Sequence, residues 1–167
     1  MKLDTLRKLY VEELRDLYSA ENQIVKALPK MVKASSSPEL RDAFRTHLEE
    51  TKGHVARLTR IFEQLETSPK GKTCKAMEGL IEEGAELLKE KTEPEVLDAG
   101  LISAAQRVEH YEMAGYGTVR TYARLLGETE AEQLLQETLQ EEGNADKKLT
   151  ELADQVINQE ALEPTKR

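Results

Sequence analysis

The stretch Gln106-Arg-Val-Glu109-His-Tyr-Glu112-Met-Ala-Gly115-Tyr-Gly117 places two carboxylates inside a long amphipathic helical pattern. Around it, apolar or small residues recur at spacings of three and four, which is typical of one buried helix face. That face comprises Leu97, Leu101, Ala104, Val108, Tyr111, Gly115, Val119, Tyr122 and Leu126. Glu112 falls within this stripe and Glu109 at its edge. Because an unpaired buried charge is very costly, we expect both carboxylates to have partners on other helices.

The composition narrows the class of protein. The chain has 167 residues, of which 34% are charged and 4% aromatic, and this favours one all-helical domain with solvated outer faces. The net charge of −8 argues against nucleic acid and anionic membranes as partners. No apolar run approaches the roughly 20 residues of a membrane span, and the N-terminus lacks an apolar signal-peptide core, so we expect a cytoplasmic protein. Cys74 is the only cysteine, which excludes an intramolecular disulfide and a cysteine-rich zinc site.

Three further long helices carry polar residues in their buried stripes. We predict helices from about Asp4, as N-cap, to Lys33, from Pro38 to Glu66, and from Glu130 to Asn158, the last capped by Thr129. The helix that contains Glu112 should start at a capping-box-like Thr92-Glu-Pro94-Glu95 and end at Gly127. The polar residues in or beside the other three stripes are Glu21, His47, Glu50, His54, Glu142 and Asp146.

The lengths of the connections predict the topology. Short turns join the first helix to the second and the third to the fourth, so each pair should be antiparallel. Residues 67–93 form a long connection with helical periodicity from Cys74 to Leu88, which predicts an extra short helix. Two antiparallel pairs with one long crossover are the ferritin-like variant of the four-helix bundle. We expect a single such domain over residues 1–160 and a polar tail over 161–167.

Carboxylates that converge in a dry interior repel one another, and two divalent metal ions would relieve that repulsion. Carboxylates bridge metal pairs, and a histidine nitrogen suits iron or manganese. We therefore predict a dinuclear iron or manganese site with the ligands Glu21, Glu50, His54, Glu109, Glu112, Glu142 and Asp146.

Several motifs together resemble the YciE/YciF family of ferritin-like proteins, the domain of unknown function 892. They are Asp16-Leu-Tyr18-Ser-Ala-Glu21-Asn-Gln, His47-Leu-Glu-Glu50-Thr51, Cys74-Lys-Ala-Met77-Glu-Gly-Leu-Ile-Glu-Glu, Arg107-Val-Glu109-His-Tyr-Glu112-Met-Ala-Gly-Tyr116-Gly-Thr, and Glu137-Thr-Leu-Gln-Glu-Glu142 with Asp146. The resemblance implies a ferritin-like bundle, often dimeric, related to rubrerythrin-type proteins and associated with bacterial stress responses. It also implies a dinuclear site, without an established reaction.

The ligand spacing departs from the wider ferritin-like pattern, which places Glu-x-x-His on two helices. Here the spacings are Glu50-x-x-x-His54 and Glu142-x-x-x-Asp146, and an aspartate replaces the second histidine. A local π-bulge could reconcile the spacing.

Each residue also has a structural interpretation. Glu21 could pair with an arginine or lysine, and His54 could be a satisfied core histidine. His47 could be structural and oriented by Glu50, and Glu109 could be a rim carboxylate. Tyr18, Tyr111 and Tyr116 could be core aromatics or donors to metal-bound carboxylates. We expect His110 on the surface and Cys74 as a small buried hydrophobe.

The predicted function is redox handling of peroxide or oxygen with Fe(II), of the ferroxidase, peroxidase or catalase type. The alternative is a non-catalytic helical stress or scaffold protein whose acidic core holds a structural cation or protons. Because the chain has no rubredoxin-like cysteine module, electrons would come from an external donor. We also expect a homodimer, since Ile102, Met113 and Leu134 lie off the inner stripes and need to be covered.

Overall fold

The computed structural model describes residues 3–162, and this part of the chain is all-α. The helices are α1 (Leu6–Ala34), α2 (Pro38–Gln64), α3 (Lys75–Leu87), α4 (Pro94–Leu126), α5 (Thr129–Leu152) and α6 (Asn158–Leu162), with a π-helical turn (Ala153–Ile157) between α5 and α6. The long helices α1, α2, α4 and α5 form the predicted ferritin-like bundle, and α3 is the predicted extra helix in the crossover.

Three of the predicted N-cap residues differ from those in the structure. Thr5, not Asp4, caps α1, since its side chain accepts a hydrogen bond from the backbone N–H of Lys8. Neither α4 nor α5 has a side-chain cap, because Glu93 and Glu128 occupy the cap positions. The predicted caps Thr92 and Thr129 are therefore wrong, and Thr129 is the first residue of α5.

Gly127 ends α4 as predicted. It has a positive φ of 77°, which a glycine adopts without steric cost. Its N–H donates to the carbonyl of Arg124, and the N–H of Glu128 donates to the carbonyl of Ala123. These bonds satisfy the last carbonyls of α4, and only Gly127 and Glu128 lie between α4 and α5.

Contacts between helix ends confirm the topology. The guanidinium of Arg15, early in α1, donates to Thr67 just beyond α2, and Gln106 of α4 donates to Thr150 near the end of α5. Each short connection therefore reverses the chain direction. The crossover then returns the chain so that α4 starts near the α1–α2 turn.

Asp98 of α4 fastens the end of the bundle at which the α1–α2 turn lies. Its buried carboxylate accepts hydrogen bonds from the backbone N–H groups of Ser36 and Ser37, at 2.9 and 2.7 Å, and from the Ser36 hydroxyl at 2.6 Å. Three donors on one carboxylate satisfy a charge that burial would otherwise penalise.

The buried face of α4 is rotated from the predicted stripe. Its fully buried positions are Asp98, Leu101, Ile102, Ala105, Glu109, Glu112, Tyr116, Val119 and Ala123. Ala104, Val108 and Tyr111 are half-buried instead, and Ala104 lies on the side covered by α3. Because α4 packs against α3 as well as the bundle, two neighbouring faces carry apolar residues, and the sequence stripe runs between them.

The rotation corrects one argument for a dimer. Ile102 is only 3% exposed and packs in the core, so it needs no second subunit to cover it. Met113 and Leu134 remain half-buried.

A polar layer divides the hydrophobic core into two clusters. One cluster surrounds Ile24, Phe44 and Leu101 near the α1–α2 turn, and the other surrounds Leu14, Leu58 and Val119 towards the opposite end. Buried glutamate and histidine residues of all four long helices lie at mid-length. None of the helices in residues 3–162 is long and apolar enough to span a membrane.

The π-helical turn lies well beyond the predicted ligands. α5 is regular through Glu142 and Asp146 to Leu152, and the π geometry spans Ala153–Ile157. A π-bulge therefore does not adjust the Glu142–Asp146 spacing, and the fourth long helix ends earlier than the predicted Asn158. Of the predicted tail, Ala161 and Leu162 belong to α6, and 163–167 lie outside the described residues.

Candidate metal centre

The polar layer contains two groups of possible metal ligands that share one residue. The first group is His47, Glu109, Glu112 and Glu142, and the second is Glu21, His54 and Glu142. Within each group, one ligand atom per residue lies within 4.8 Å of the others. Every member is buried, and together they come from α1, α2, α4 and α5. The carboxylate of Glu142 belongs to both groups, so the cluster could hold metal.

Glu142 lies between the two histidines of α2. Its Oε1 is 2.9 Å from His54 Nδ1, and its Oε2 is 3.9 Å from His47 Nε2. His54 Nδ1 is also 3.3 Å from Glu21 Oε1, and His47 Nε2 is 3.1 Å from Glu109 Oε1. The two oxygens of one carboxylate are thus directed towards two different ligand groups.

The seven-residue separation of His47 and His54 explains their common direction. Seven residues are close to two helical turns, so both imidazoles lie on the same side of α2. Both were predicted at the centre of its apolar stripe, but only His54 was predicted as a ligand. The structure brings His47 into the first group. Its position at the centre of the apolar stripe of α2 is the sequence feature that could have predicted this.

Most of the cluster's polar atoms lack hydrogen-bond partners. In residues 3–162, nine of the eleven buried side-chain N and O atoms without a partner belong to Glu21, His47, His54, Glu109, Glu112 and Glu142. His54 Nδ1 and Glu142 Oε1 lie 2.9 Å apart as an ion-pair contact, and both are among these nine atoms. Unpartnered oxygens and imidazole nitrogens that face a common point are the donor set that iron and manganese accept. The residues present therefore fit a pair of divalent ions.

Lysine and arginine do not neutralise these carboxylates. Within the described part of the chain, no Lys or Arg nitrogen lies within 4.0 Å of a carboxylate oxygen of Glu21, Glu109, Glu112 or Glu142. The structural interpretation of Glu21 as the partner of an arginine or lysine is thereby ruled out for residues 3–162. Its charged-group neighbours are histidine and other glutamates.

Burial and mutual repulsion shift the acid–base equilibria of the cluster. Burial raises the pKa of Glu142 to about 7 despite its contact with His54, and it raises the pKa of Glu21. Burial and the neighbouring Glu142 and Glu21 raise the pKa of Glu112 well above its ordinary range. Burial alone would lower the pKa of His54, but Glu142 and Glu21 outweigh it and raise the pKa to about 10. In the metal-free protein, these shifts favour the protonated forms of Glu21, Glu112, Glu142 and His54.

A second carboxylate holds the opposite nitrogen of His54. Glu141 Oε2 lies 2.9 Å from His54 Nε2, and the Arg57 guanidinium donates to both Glu141 oxygens, at 2.6 and 2.9 Å. A carboxylate that accepts a hydrogen bond from the outer N–H orients the ring and directs the inner nitrogen towards a metal. Sequence reasoning missed Glu141 and Arg57, since both lie outside the apolar stripes.

Tyr116 supports the site from α4. Its hydroxyl, which is fully buried, donates a hydrogen bond to Glu21 Oε1. Tyr116 is therefore both a core aromatic and a donor to a carboxylate, and its hydrogen bond fixes the orientation of Glu21. Burial raises the pKa of Tyr116 well above its ordinary value, so the hydroxyl stays a donor.

Two predicted ligands are not brought into either group. Glu50 has a side chain that is 38% exposed, and its Oε2 lies 3.6 Å from His47 Nδ1. Asp146 accepts a hydrogen bond from Gln106 at 3.0 Å, and its carboxylate lies 3.3 Å from His110 Nε2. Each lies four residues from a buried ligand, and four residues rotate a side chain about 40° around the helix axis. That rotation turns Glu50 and Asp146 away from the centre of the bundle.

A separate network joins α1, the crossover and α4. The Tyr111 hydroxyl donates a hydrogen bond to Asp16 and lies 3.0 Å from Cys74 Sγ. The Nζ atom of Lys72 lies 3.3 Å from the Asp16 carboxylate. Cys74 is fully buried, as predicted, and also caps α3. This network fastens the start of α3 to the bundle.

The comparisons with known proteins agree with this architecture. The family model described as a domain of unknown function, DUF892, matches residues 5–162. The chain belongs to this family. It is 46% identical over 162 residues to the protein YciF of Escherichia coli. The aligned region covers 96% of this chain and 98% of YciF. The resemblance inferred from the motifs is therefore confirmed.

Solved structures show the same fold. The crystal structure of the E. coli stress protein YciF has a TM-score of 0.90 at 46% identity and covers 93% of this chain and 99% of that chain. YcfI of Rhodopseudomonas palustris, for which a structural role has been suggested, has a TM-score of 0.86 at 41% identity. The match covers 90% of this chain and 97% of YcfI. A protein of Xanthomonas campestris pv. campestris shares the fold at 22% identity, with a TM-score of 0.73 and coverage of 92% and 94%.

Proposed function

We propose that this DUF892 protein holds two divalent metal ions, iron or manganese, in its polar layer. One observation supports this above all: the two oxygens of Glu142 are directed towards two groups of buried ligands, and most polar atoms of these groups lack hydrogen-bond partners. Glu21 and His54 would hold one ion, His47, Glu109 and Glu112 the other, and Glu142 would bridge them. Several buried carboxylates without lysine or arginine partners need neutralisation, and two dications provide it.

The proposed reaction is redox handling of peroxide or oxygen together with Fe(II), of the ferroxidase, peroxidase or catalase type. When bound, a metal pair supplies electron exchange and Lewis acidity. The protein supplies the rest. Glu141 and Arg57 orient His54, and Tyr116 orients Glu21. Without metal, burial raises the pKa of Glu142 to about 7, so metal binding near neutral pH would displace a proton from this carboxylate.

Glu50 and Asp146 have outer roles in this proposal. Glu50 lies beside His47 Nδ1, where it can orient the imidazole, as Glu141 does for His54. Asp146 lies further out, between Gln106 and His110. The variants Glu50→Gln and Asp146→Asn therefore should weaken metal binding less than Glu142→Gln does.

Elemental analysis combined with anomalous diffraction at the iron and manganese edges tests the proposal. We expect two ions per chain, one beside His54 and one beside His47. Fe(II) added to the protein should be oxidised by peroxide or oxygen faster than free Fe(II) in the same buffer, and His54→Ala should remove most of that advantage. Full activity and full metal content in His54→Ala would refute this site.

A non-catalytic role is the second candidate, because the raised pKa values of Glu21, Glu112 and Glu142 allow protons to neutralise the cluster. The protein would then be a helical stress or scaffold protein with protons or one structural cation in its core. Metal content after purification without added metal separates the two candidates, since only the dinuclear proposal requires two ions per chain.

We also propose a cytoplasmic homodimer that receives electrons from an external donor and does not bind nucleic acid. The half-buried Met113 and Leu134 support a second subunit, and the net charge of −8 argues against nucleic acid. Sedimentation equilibrium that shows a monomer at high micromolar concentration would contradict the dimer.

A further inference from the structure

An apolar cavity of about 260 Å³ lies between α1, α3 and α4, next to the candidate metal centre. The inner, buried part of its lining includes His47 and Glu109, and the exposed part includes Lys26 and Lys30. The rest of the wall is formed mainly by aliphatic side chains, including Leu80 and Ile81 of α3 and Leu88 directly after it. The cavity therefore leads from the protein surface to the polar layer.

The size and lining of this cavity suit an organic ligand better than water. An apolar cavity of about 150 Å³ holds benzene, so this one has room for a substituted ring or a medium-length aliphatic chain. Ordered water needs two to four polar partners, which an aliphatic wall does not offer. Glu109 Oε2 is buried without a hydrogen-bond partner, so the inner end is not closed by a protein contact to that atom.

The charges at the two ends set the orientation of a ligand. Lys26 and Lys30 lie one turn apart on α1, and neither forms an ion pair with an acidic residue in the described part of the chain. Glu109 at the inner end repels an anion. An anionic group is therefore favoured at the lysines and an apolar group towards the interior.

We propose that this cavity binds a small amphiphilic carboxylate, with its carboxylate at Lys26 and Lys30 and its apolar tail between α1, α3 and α4. The tail would end beside His47 and Glu109. This binding uses only the protein's own residues, so it does not depend on the metal centre, and either proposal can fail without the other.

Isothermal titration of the full-length, metal-free protein in the presence of a chelator tests the ligand class. The probes are octanoate, octanol and octylamine, which share a tail and differ in the head group. We expect octanoate to bind most tightly and octylamine most weakly. Equal affinity for all three, or no binding of octanoate, would overturn the proposal.

Two kinds of variant test the location. Lys26→Glu combined with Lys30→Glu should weaken octanoate binding by about tenfold or more and leave octanol binding unchanged. Lys33→Glu is the matched control, since Lys33 is exposed on the same helix and does not line the cavity. If the control weakens octanoate binding as much as the double variant, the charge effect is non-specific and the proposal is wrong.

Filling the cavity should abolish binding without unfolding the protein. Ala104→Leu places extra carbon atoms in the wall, and Ala85→Leu does so from α3. Either variant, with a melting temperature no lower than that of the wild type, should lose octanoate binding. Unchanged binding in both folded variants places the ligand elsewhere. A change in sedimentation coefficient with either variant would instead assign the cavity to a second copy of the chain and overturn the proposal.

Discussion

Glu142 Oε1 lies 2.9 Å from His54 Nδ1, and both side chains are fully buried. The other Glu142 oxygen faces His47. A carboxylate in this position is not stabilised by any lysine or arginine within residues 3–162. Its free energy therefore depends on protons or on metal ions, and the first prediction uses this dependence.

Glu142→Leu should leave the melting temperature of the metal-free protein unchanged or raise it. Replacement of a buried ionic group by an apolar one is often neutral or stabilising, by about 1–4 kcal/mol. The same variant should lose stabilisation by Mn(II) or Fe(II), which in the wild type amounts to about 2.7 kcal/mol at a hundredfold excess over the dissociation constant. Thermal melts with chelator and with Mn(II) measure both effects.

The control for this experiment is Glu151→Leu, on the exposed side of the same helix. It should keep the metal response of the wild type. A metal-indifferent wild type combined with a strongly destabilised Glu142→Leu variant would rule out the dinuclear site.

Glu141→Ala should weaken metal binding about 10–100-fold, because the outer nitrogen of His54 then loses the carboxylate that orients the ring. Stability without metal should fall by about 1–3 kcal/mol, because the fully buried outer nitrogen of His54 loses its acceptor. Mn(II) titration and chemical denaturation measure the two effects separately. Glu137→Ala is a matched control, since Glu137 also pairs with Arg57, at 2.8 Å, and has no contact with His54. Equal losses of Mn(II) affinity in both variants would disprove the orienting role of Glu141.

The metal-free protein should lose stability as the pH rises from about 5 to about 9. Burial raises the folded-state pKa of Glu142 to about 7, above its unfolded value, so folding takes up a proton at this group. The contribution is fully present below the unfolded pKa and is lost as the pH rises through the folded pKa. His54, with a folded pKa of about 10, acts in the same direction at higher pH.

Chemical denaturation at several pH values checks this dependence, with Glu142→Gln as the comparison. The difference in unfolding free energy between wild type and variant should become less favourable to the wild type as the pH rises through about 7. Saturating Mn(II) should reverse the trend, because metal binding releases these protons. A pH-independent difference between wild type and variant would show that Glu142 keeps an ordinary pKa.

Asp98→Asn should destabilise the fold by about 1.5–3 kcal/mol, since an amide has one acceptor oxygen where the carboxylate serves three donors. Metal affinity should not change, because Asp98 lies at the end of the bundle. Urea denaturation measures the loss, and Asp42→Asn, an exposed acidic residue on α2, should cost much less. Equal stability of the Asp98→Asn variant and the wild type would refute the role of Asp98 in holding the α1–α2 turn.

The sequence by itself determined the class, the topology and most of the candidate site. Stripes at spacings of three and four residues identify each long helix, and the contrast between short turns and one long crossover identifies the bundle. A carboxylate or imidazole in an apolar stripe is costly wherever it lies, so Glu21, His54, Glu112 and Glu142 were recognisable from sequence alone. The structure brings all four into the polar layer, with Glu109.

Only the tertiary structure decided which residues face a common point. Glu50 and Asp146 share helix turns with true cluster members, but a rotation of about 40° per four residues turns them outward. His47 enters the cluster because α4 presents Glu109 to it, at 3.1 Å. The buried face of α4 differs from the predicted stripe for a similar reason. Because α3 packs against α4 beside the bundle, α4 carries apolar residues on a second face as well. Periodicity records that a residue is buried within its own helix, whereas the neighbour it meets depends on how the helices pack.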